Sequence, residues 1–226
     1  MSLATISFVI PVLNEASVIG PLLEKLASDF PDSQRVVVDG GSSDGTVMAA
    51  RLAGSRLLSS APGRAVQMNA GARIASGAYI FFLHADTLPT ITAAQLQECL
   101  AGGPQWGFFR VRLSGSSWMF RTIERAMNLR SRVSGIATGD QMIFIRRELF
   151  EQTGGFAAIP LMEDIEYCKR LRREAPPLVI SQAVETSSRR WEQRGVVSTI
   201  VRMWSLRLAY FLGVSPRRLR EHYRAH

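Results

Sequence analysis

Cysteine, histidine and lysine are all scarce in this 226-residue chain, and each shortage removes a class of function. The two cysteines, Cys99 and Cys168, stand far apart and form no CxxC pair. That excludes a dithiol redox motif and a cysteine-built zinc site, and makes a reducing compartment the simplest home. Of the three histidines, His222 and His226 fall among the last five residues, which leaves His84 as the one within the body of the chain. No run of about eighteen uncharged apolar residues occurs, so no membrane-spanning helix is expected. The first apolar run, Ile6 to Leu13, is interrupted by Pro11 and has no basic leader, so no signal peptide is expected. GxGxxG and Walker-type glycine runs are missing, which removes the usual supports for hydride transfer and P-loop nucleotide hydrolysis.

What is present is a chain with 46% hydrophobic residues, enough to build a sizeable core and to exclude intrinsic disorder, collagen and a minimal disulfide scaffold. No internal repeat or low-complexity linker divides it. A single domain over 1–226 is expected, with a first half at 1–100, a second half at 101–191 and a basic helical tail at 192–226.

The formal charge is +8, and it is unevenly placed. Residues 1–100 hold six basic and eight acidic side chains, whereas 101–226 hold twenty-one basic and eleven acidic. From Arg189 onward there are nine arginines against Glu192 and Glu221. Twenty-five of the 27 basic residues are arginine, which fits either a GC-rich coding sequence or guanidinium forks meeting phosphate oxygens.

The first hundred residues alternate in period. Ile6 to Val12 is a β-branched apolar run, Glu15 to Ala27 carries Val18, Leu22, Leu23 and Leu26 at helical spacing, and Arg35 to Val38 is a second strand. A helix through Arg51, a strand near 56–58, a helix over 64–75 and a strand over 78–83 complete a βαβαβαβ order. This order predicts an α/β fold with a mainly parallel sheet and helices on both faces. Beyond it, strands are expected at 107–113, 142–146 and 178–180, and helices at 118–132, 163–173 and 196–212.

Ligands of such sheets bind beyond the carboxyl ends of the strands. Those positions read Asn14-Glu15, Asp39-Gly40-Gly41-Ser42 and His84-Ala85-Asp86. Any one acidic strand end is commonly a cap or turn former, but three in one half-domain favour a site. Arg64 opens the helix after Gly63, where it is either a surface arginine on an ordinary cap or, with the free N–H groups, a partner for a diphosphate. His84 and Asp86 alternate on one side of an extended chain, a geometry that suits a hard divalent ion such as Mg²⁺ or Mn²⁺, with Asp86 weighing above His84. Glu163-Asp164 enters a helix after the apolar Ile159-Pro160-Leu161-Met162. There a carboxylate is either a first-turn partner of the helix dipole or, at lowered dielectric, a general base.

The ordered set PVLNE (11–15), VDGGSSDGT (38–46), GRAVQMNAG (63–71), LHADT (83–87), GGF (154–156), EDIE (163–166) and RRW (189–191) resembles family 2 glycosyltransferases of the GT-A fold. It is similar in particular to a small bacterial branch found near radical-SAM and selenium-related genes. The resemblance implies metal-dependent, inverting transfer of a sugar from a UDP- or GDP-sugar donor to a hydroxyl acceptor. It implies that Pro11 and Glu15 line the nucleoside pocket, Asp39 holds the base, and Arg64 approaches the base or diphosphate. It implies further that Asp86, with His84, binds Mn²⁺ or Mg²⁺, that Asp164 is the base, and that Glu163, Arg190 and Trp191 lie toward the acceptor or diphosphate. His84 stands where the common DxD run has its first Asp, and Gly40 where the common DDGS run has its second.

The alternative is a non-catalytic membrane-surface or ligand-binding protein on the same fold. The helix over 196–212 is apolar around much of its circumference and is followed by Arg217, Arg218, Arg220 and Arg224. It serves either as an interfacial anchor or, preferably, as a core-packing helix with a solvated basic end. The expected location is cytoplasmic, with peripheral contact at the inner membrane face if the tail acts as an anchor. Nucleic acid is not an expected partner, because aromatics interleaved with the basic residues are sparse. A sugar nucleotidyltransferase would need a glycine-rich basic loop in place of PVLNE. The acceptor-shaping region is expected between Ser114 and Gly139, with Arg121, Arg125 and Arg132 on a solvated face.

Overall fold

The computed structural model describes residues 3–189, 192 and 195–224. Its elements are β1 (Ile6–Val12), α1 (Ala16–Asp29), β2 (Gln34–Asp39), α2 (Thr46–Leu52), β3 (Arg56–Ser59), α3 (Arg64–Ile74), β4 (Tyr79–Phe82), β5 (Thr87–Pro89) and α4 (Ala93–Leu100). There follow β6 (Trp106–Leu113), α5 (Trp118–Ser134), a 3₁₀ turn (Gly139–Gln141), β7 (Phe144–Arg146), α6 (Arg147–Thr153), α7 (Glu163–Glu174), β8 (Leu178–Thr186), α8 (Val196–Phe211) and α9 (Pro216–Arg224).

One eight-stranded sheet runs in the order β3-β2-β1-β4-β7-β6-β8-β5. The β3-β2-β1-β4 half is parallel, as the alternation of periods predicts, and β6 and β8 are also parallel. The inserted β7 is antiparallel to both neighbours, and β5 is antiparallel to β8. Period-2 alternation divides the core between the two faces. Phe8, Ile10, Val37 and Phe81 pack on one side with Leu22 and Leu26 of α1. Val9, Val36, Val38, Ile80 and Phe82 pack on the other with Met68 and Ala72 of α3. The four inward residues of α1, from Ile19 to Leu26, are each at most 1% exposed, and each such burial contributes about 1.5–3 kcal/mol.

Two glycines set close approaches. A Cβ on Gly71 would come within 2.4 Å of Val9, so α3 lies tight on the parallel half and its first turn points at the strand ends. A Cβ on Gly107 would come within 2.1 Å of the Leu178 carbonyl, so β6 and β8 meet at the closest spacing.

The strand expected at 178–180 runs to Thr186, because β6 and β5 both pair along it. The stripe expected to be solvated is only partly so. Arg121 is tied to Glu124 at 2.9 Å and to the carbonyls of Leu113 and Gly115, and thus anchors α5 to the end of β6. Arg125 and Arg132 are exposed as expected. The 196–212 helix departs from a core-packing helix. It buries Leu206 but leaves Val201, Trp204, Leu208 and Phe211 exposed, and Lys169 sits 4.4 Å from the Phe211 ring. Among the described residues no helix is long and apolar enough to cross a membrane.

Candidate functional site

The ends of β1, β4 and β8 meet the first turn of α3 around a polar cavity of about 440 Å³. Pro11, Glu15, Arg64, His84 and Asp86, singled out from the sequence, all line it. Asp140, Arg189 and Arg220 line it as well.

Each side chain has a local reason for its position. Glu15 precedes α1, where its N–H donates to Thr46 Oγ1 at 2.8 Å and its carbonyl accepts from Val18 and Ile19. Asn14 takes a left-handed conformation at φ 57°, which asparagine tolerates, and its Oδ1 accepts from the Ser43 N–H at 2.9 Å. These bonds lash the end of β1 to the loop after β2. Gln67, 4% exposed, donates from Nε2 to the carbonyls of Val12 and Val38 at 2.8 Å each, bridging the ends of β1 and β2 beneath the cavity. Asp86 lies between β4 and β5 and is braced from behind, since its carbonyl accepts from Ser187 and the neighbouring Thr87 hydroxyl meets that of Thr186.

Asp39 stands apart. It is 4% exposed and its carboxylate accepts from the N–H groups of Gly41 and Ser42, so it organises its own loop at the edge of the site. Arg190 and Trp191 lie outside the described residues.

A second cavity, of about 240 Å³, adjoins the first and shares Arg64, His84 and Asp140 with it. Glu163 and Asp164, at the start of α7, face this cavity. Asp164 accepts from the N–H of Gly139 through Oδ2 at 2.9 Å and from the N–H of Ile165 through Oδ1 at 2.7 Å. Both oxygens are therefore oriented by backbone. Burial raises the carboxyl pKa of Asp164, while those two N–H groups and the Arg64 guanidinium oppose the rise. Glu163, 6% exposed, is raised by burial and by the Asp164 charge, with Arg64 opposing. Met162, just before this pair, sits at φ 68°, a left-handed conformation uncommon for methionine that turns the chain sharply into α7.

Asp140, in the 3₁₀ turn, lies 3.4 Å from His84 Nδ1. Glu15 has its carboxyl pKa raised by burial and by the nearby Asp86 charge, with Arg189, His84 and Arg64 opposing. Glu15 and Asp86 thus stand close together on one polar cavity, a donor set suited to a hard divalent cation. Such an ion characteristically takes one or two protein carboxylates and completes its shell with phosphate oxygens and water. Among the described residues no three His, Cys, Asp or Glu side chains are grouped to enclose a metal alone. The arrangement therefore fits an ion shared with a phosphate ligand and not a closed protein cage.

Other motif residues are structural. Asn69 pairs with both backbone groups of Phe156, at 2.8 and 2.9 Å, joining GRAVQMNAG to GGF. Glu166 binds Arg170, which also donates to the carbonyl of Thr153, so the third acid of EDIE holds the end of α6.

The family model described as glycosyl transferase family 2 matches residues 7–154. Among curated proteins none matches by sequence. Among solved structures, S. aureus TarS in complex with UDP aligns at 19% identity and TM-score 0.64, over 81% of this chain and 60% of that one. The mannosyltransferase PcManGT from Pyrobaculum calidifontis, in complex with GDP-Man and Mn²⁺, aligns at 21% identity and TM-score 0.65, over 92% and 62%. Glucosyl-3-phosphoglycerate synthase from Mycobacterium tuberculosis, in complex with Mg²⁺ and UDP, aligns at 18% identity and TM-score 0.56, over 81% and 70%. The chain thus spans about three fifths of the length of the first two. At these identities the likeness is one of fold, the GT-A fold.

Proposed function

The chain belongs to glycosyl transferase family 2, and from that premise we propose that it moves a sugar from a UDP- or GDP-linked donor to a hydroxyl acceptor with inversion. The observation that carries this reading is the junction of the two cavities. An oriented carboxylate of raised pKa, Asp164, opens on one, the Glu15–Asp86 pair on the other, and Arg64, His84 and Asp140 border both.

The donor nucleoside lies over the ends of β1 and β2, against Pro11 and Glu15, with the base next to the loop that Asp39 organises. Arg64, Arg189 and Arg220 meet the diphosphate, whose charge grows as it leaves. Asp86, with His84 at its side, would hold Mn²⁺ or Mg²⁺, which supplies further positive charge to the departing diphosphate when bound. Asp164 accepts the proton of the acceptor hydroxyl as its oxygen forms the new bond to the anomeric carbon, and the old carbon–oxygen bond breaks with its electron pair on the diphosphate. Glu163 beside it holds its proton more tightly than a free glutamate, through burial and the Asp164 charge. The family resemblance assigns Arg190 and Trp191 a role toward the acceptor or diphosphate. LHADT and RRW support placement in the small bacterial branch associated with radical-SAM and selenium-related genes. Two unpaired thiols, Cys99 and Cys168, suit a cytoplasmic location.

Calorimetry with UDP and GDP in the presence of Mn²⁺ tests the donor site, and a folded sample that binds neither overturns it. Asp164→Asn should leave that binding intact and lower turnover by about 10²–10⁴-fold. Full turnover in that variant would remove Asp164 as the base.

A further inference from the structure

The walls of the cavity that Asp164 faces are largely hydrocarbon. Ile123 and Met127 of α5, Leu161 and Met162 before α7, and Met203 and Trp204 of α8 surround it. Such walls favour a ligand that brings an apolar body as well as polar groups. Charged side chains line it too, Arg64 and Arg207 with the acids already described, and among them Arg130 is distinctive. Arg130 lines the cavity, its Nε and Nη2 are buried with no hydrogen-bond partner among the described residues, and burial lowers its pKa while Asp164 and Asp140 oppose that. A buried guanidinium with two idle donors calls for an anionic oxygen.

The cavity also has an apolar approach. Val201, Trp204, Leu208 and Phe211 recur at i, i+3, i+7 and i+10 along α8, and each is 60–65% exposed. Leu129 and Val133 are exposed on α5, the helix that forms the other wall. Trp204 belongs to both features, lining the cavity and standing 65% exposed in the stripe. Beyond the stripe, Arg217 and Arg218 of α9 are exposed. An apolar stripe with a tryptophan and neighbouring arginines has the composition of a surface that rests on anionic lipid.

We propose that the acceptor is an anionic lipid taken from a bilayer surface. Its headgroup hydroxyl reaches Asp164, its phosphate pairs with Arg130, and its hydrocarbon lies between α5 and α8. The assignment rests on the transfer reading for the role of Asp164, but the lipid contact can be measured independently of it.

The full chain is tested with phosphatidylcholine vesicles, with and without phosphatidylglycerol, whose headgroup places hydroxyls beside a phosphate. Co-sedimentation should favour the phosphatidylglycerol vesicles by roughly tenfold, and Arg130→Gln should remove most of that preference. Brominated acyl chains should quench tryptophan fluorescence, and Trp204→Phe should abolish most of the quenching. The double variant Val201→Glu/Leu208→Glu, altered only at exposed positions, should lose vesicle binding by roughly tenfold or more while keeping UDP or GDP binding with Mn²⁺. Glycerol 3-phosphate, which offers the same polar group without hydrocarbon, should not compete. Absence of vesicle binding, an unaffected double variant, or effective competition by glycerol 3-phosphate would overturn the proposal while leaving the donor site standing. Vesicle binding without any nucleotide binding would instead sink the transfer reading, and the acceptor assignment with it.

Discussion

The backbone N–H of Gly139 donates to Oδ2 of Asp164 at 2.9 Å, and the same glycine lies flat against the His84 imidazole, where a Cβ would come within 2.4 Å of the ring. One residue therefore couples the acid facing the apolar cavity to the histidine bordering the polar one. Gly139→Ala must displace either the ring or the 3₁₀ turn. We expect kcat/KM to fall on the order of 10–10²-fold with the thermal midpoint nearly unchanged, because the site and not the core is disturbed. Steady-state kinetics alongside a melting curve check this, and unaltered kinetics would refute the coupling.

Asp86→Ala removes one of two facing carboxylates. Nucleoside diphosphate affinity in Mn²⁺ should drop on the order of 10²-fold, whereas affinity in the presence of chelator should change little. Titration calorimetry under both conditions separates a metal-dependent loss from a general one. In the metal-free protein, removal of the Asp86 charge should also lower the pKa of Glu15, of which that charge is one raising cause.

Raised carboxyl groups give stability a definite pH dependence. Glu15, Glu163 and Asp164 all have folded-state values above their ordinary ones, chiefly through burial. Each binds its proton more tightly folded than unfolded, so the associated stability is present in full below the ordinary carboxylate range, near pH 4, and is lost as pH rises through the raised values. Glu163→Gln should therefore raise the melting temperature by roughly 2–4 °C at pH 8 and by little at pH 4. The transfer rate should follow the opposite course, rising with pH through a midpoint above that of a free aspartate as Asp164 ionises. A midpoint at or below the free value would contradict a buried base.

Arg220 comes from α9 and lines the donor cavity with Arg64 and Arg189. Arg220→Ala should weaken UDP or GDP binding by about tenfold, the scale of one charge-assisted hydrogen bond, and should flatten its salt dependence. Equal affinity in the variant would show that α9 only borders the cavity.

The parallel half of the sheet and its strand-end acids were legible in sequence because they depend on local period. Val9 and Phe8 face opposite cores exactly as alternation requires. Three short elements were not legible. β5 has three residues and exists because β8 pairs with it, α6 follows β7 without a loop, and α9 is so arginine-rich that Leu219, buried in the core, is easily passed over. For α4 a signal was available in the Thr92–Gln95 capping box, with only Leu96 and Leu100 buried behind it. Asp140 and Arg220 escaped notice for another reason. Neither belongs to a motif, and only the tertiary fold brings them to His84 and Arg64. Gln67 lay within a quoted motif, but its double bond to the ends of β1 and β2 becomes visible only when those strands lie side by side.

The floor of the donor cavity comes from residues 11–15, 62–67 and 84–86, yet Arg189 and Arg220 stand on its rim. During synthesis the parallel strands can pair and pack long before α9 leaves the ribosome. Until then the recess holds Glu15 and Asp86 with only part of its positive complement, a surface that repels a diphosphate more than the finished one does. Arrival of α9, more than a hundred residues downstream of Asp86, would thus supply the rest of the positive charge on which the proposed nucleotide capture depends.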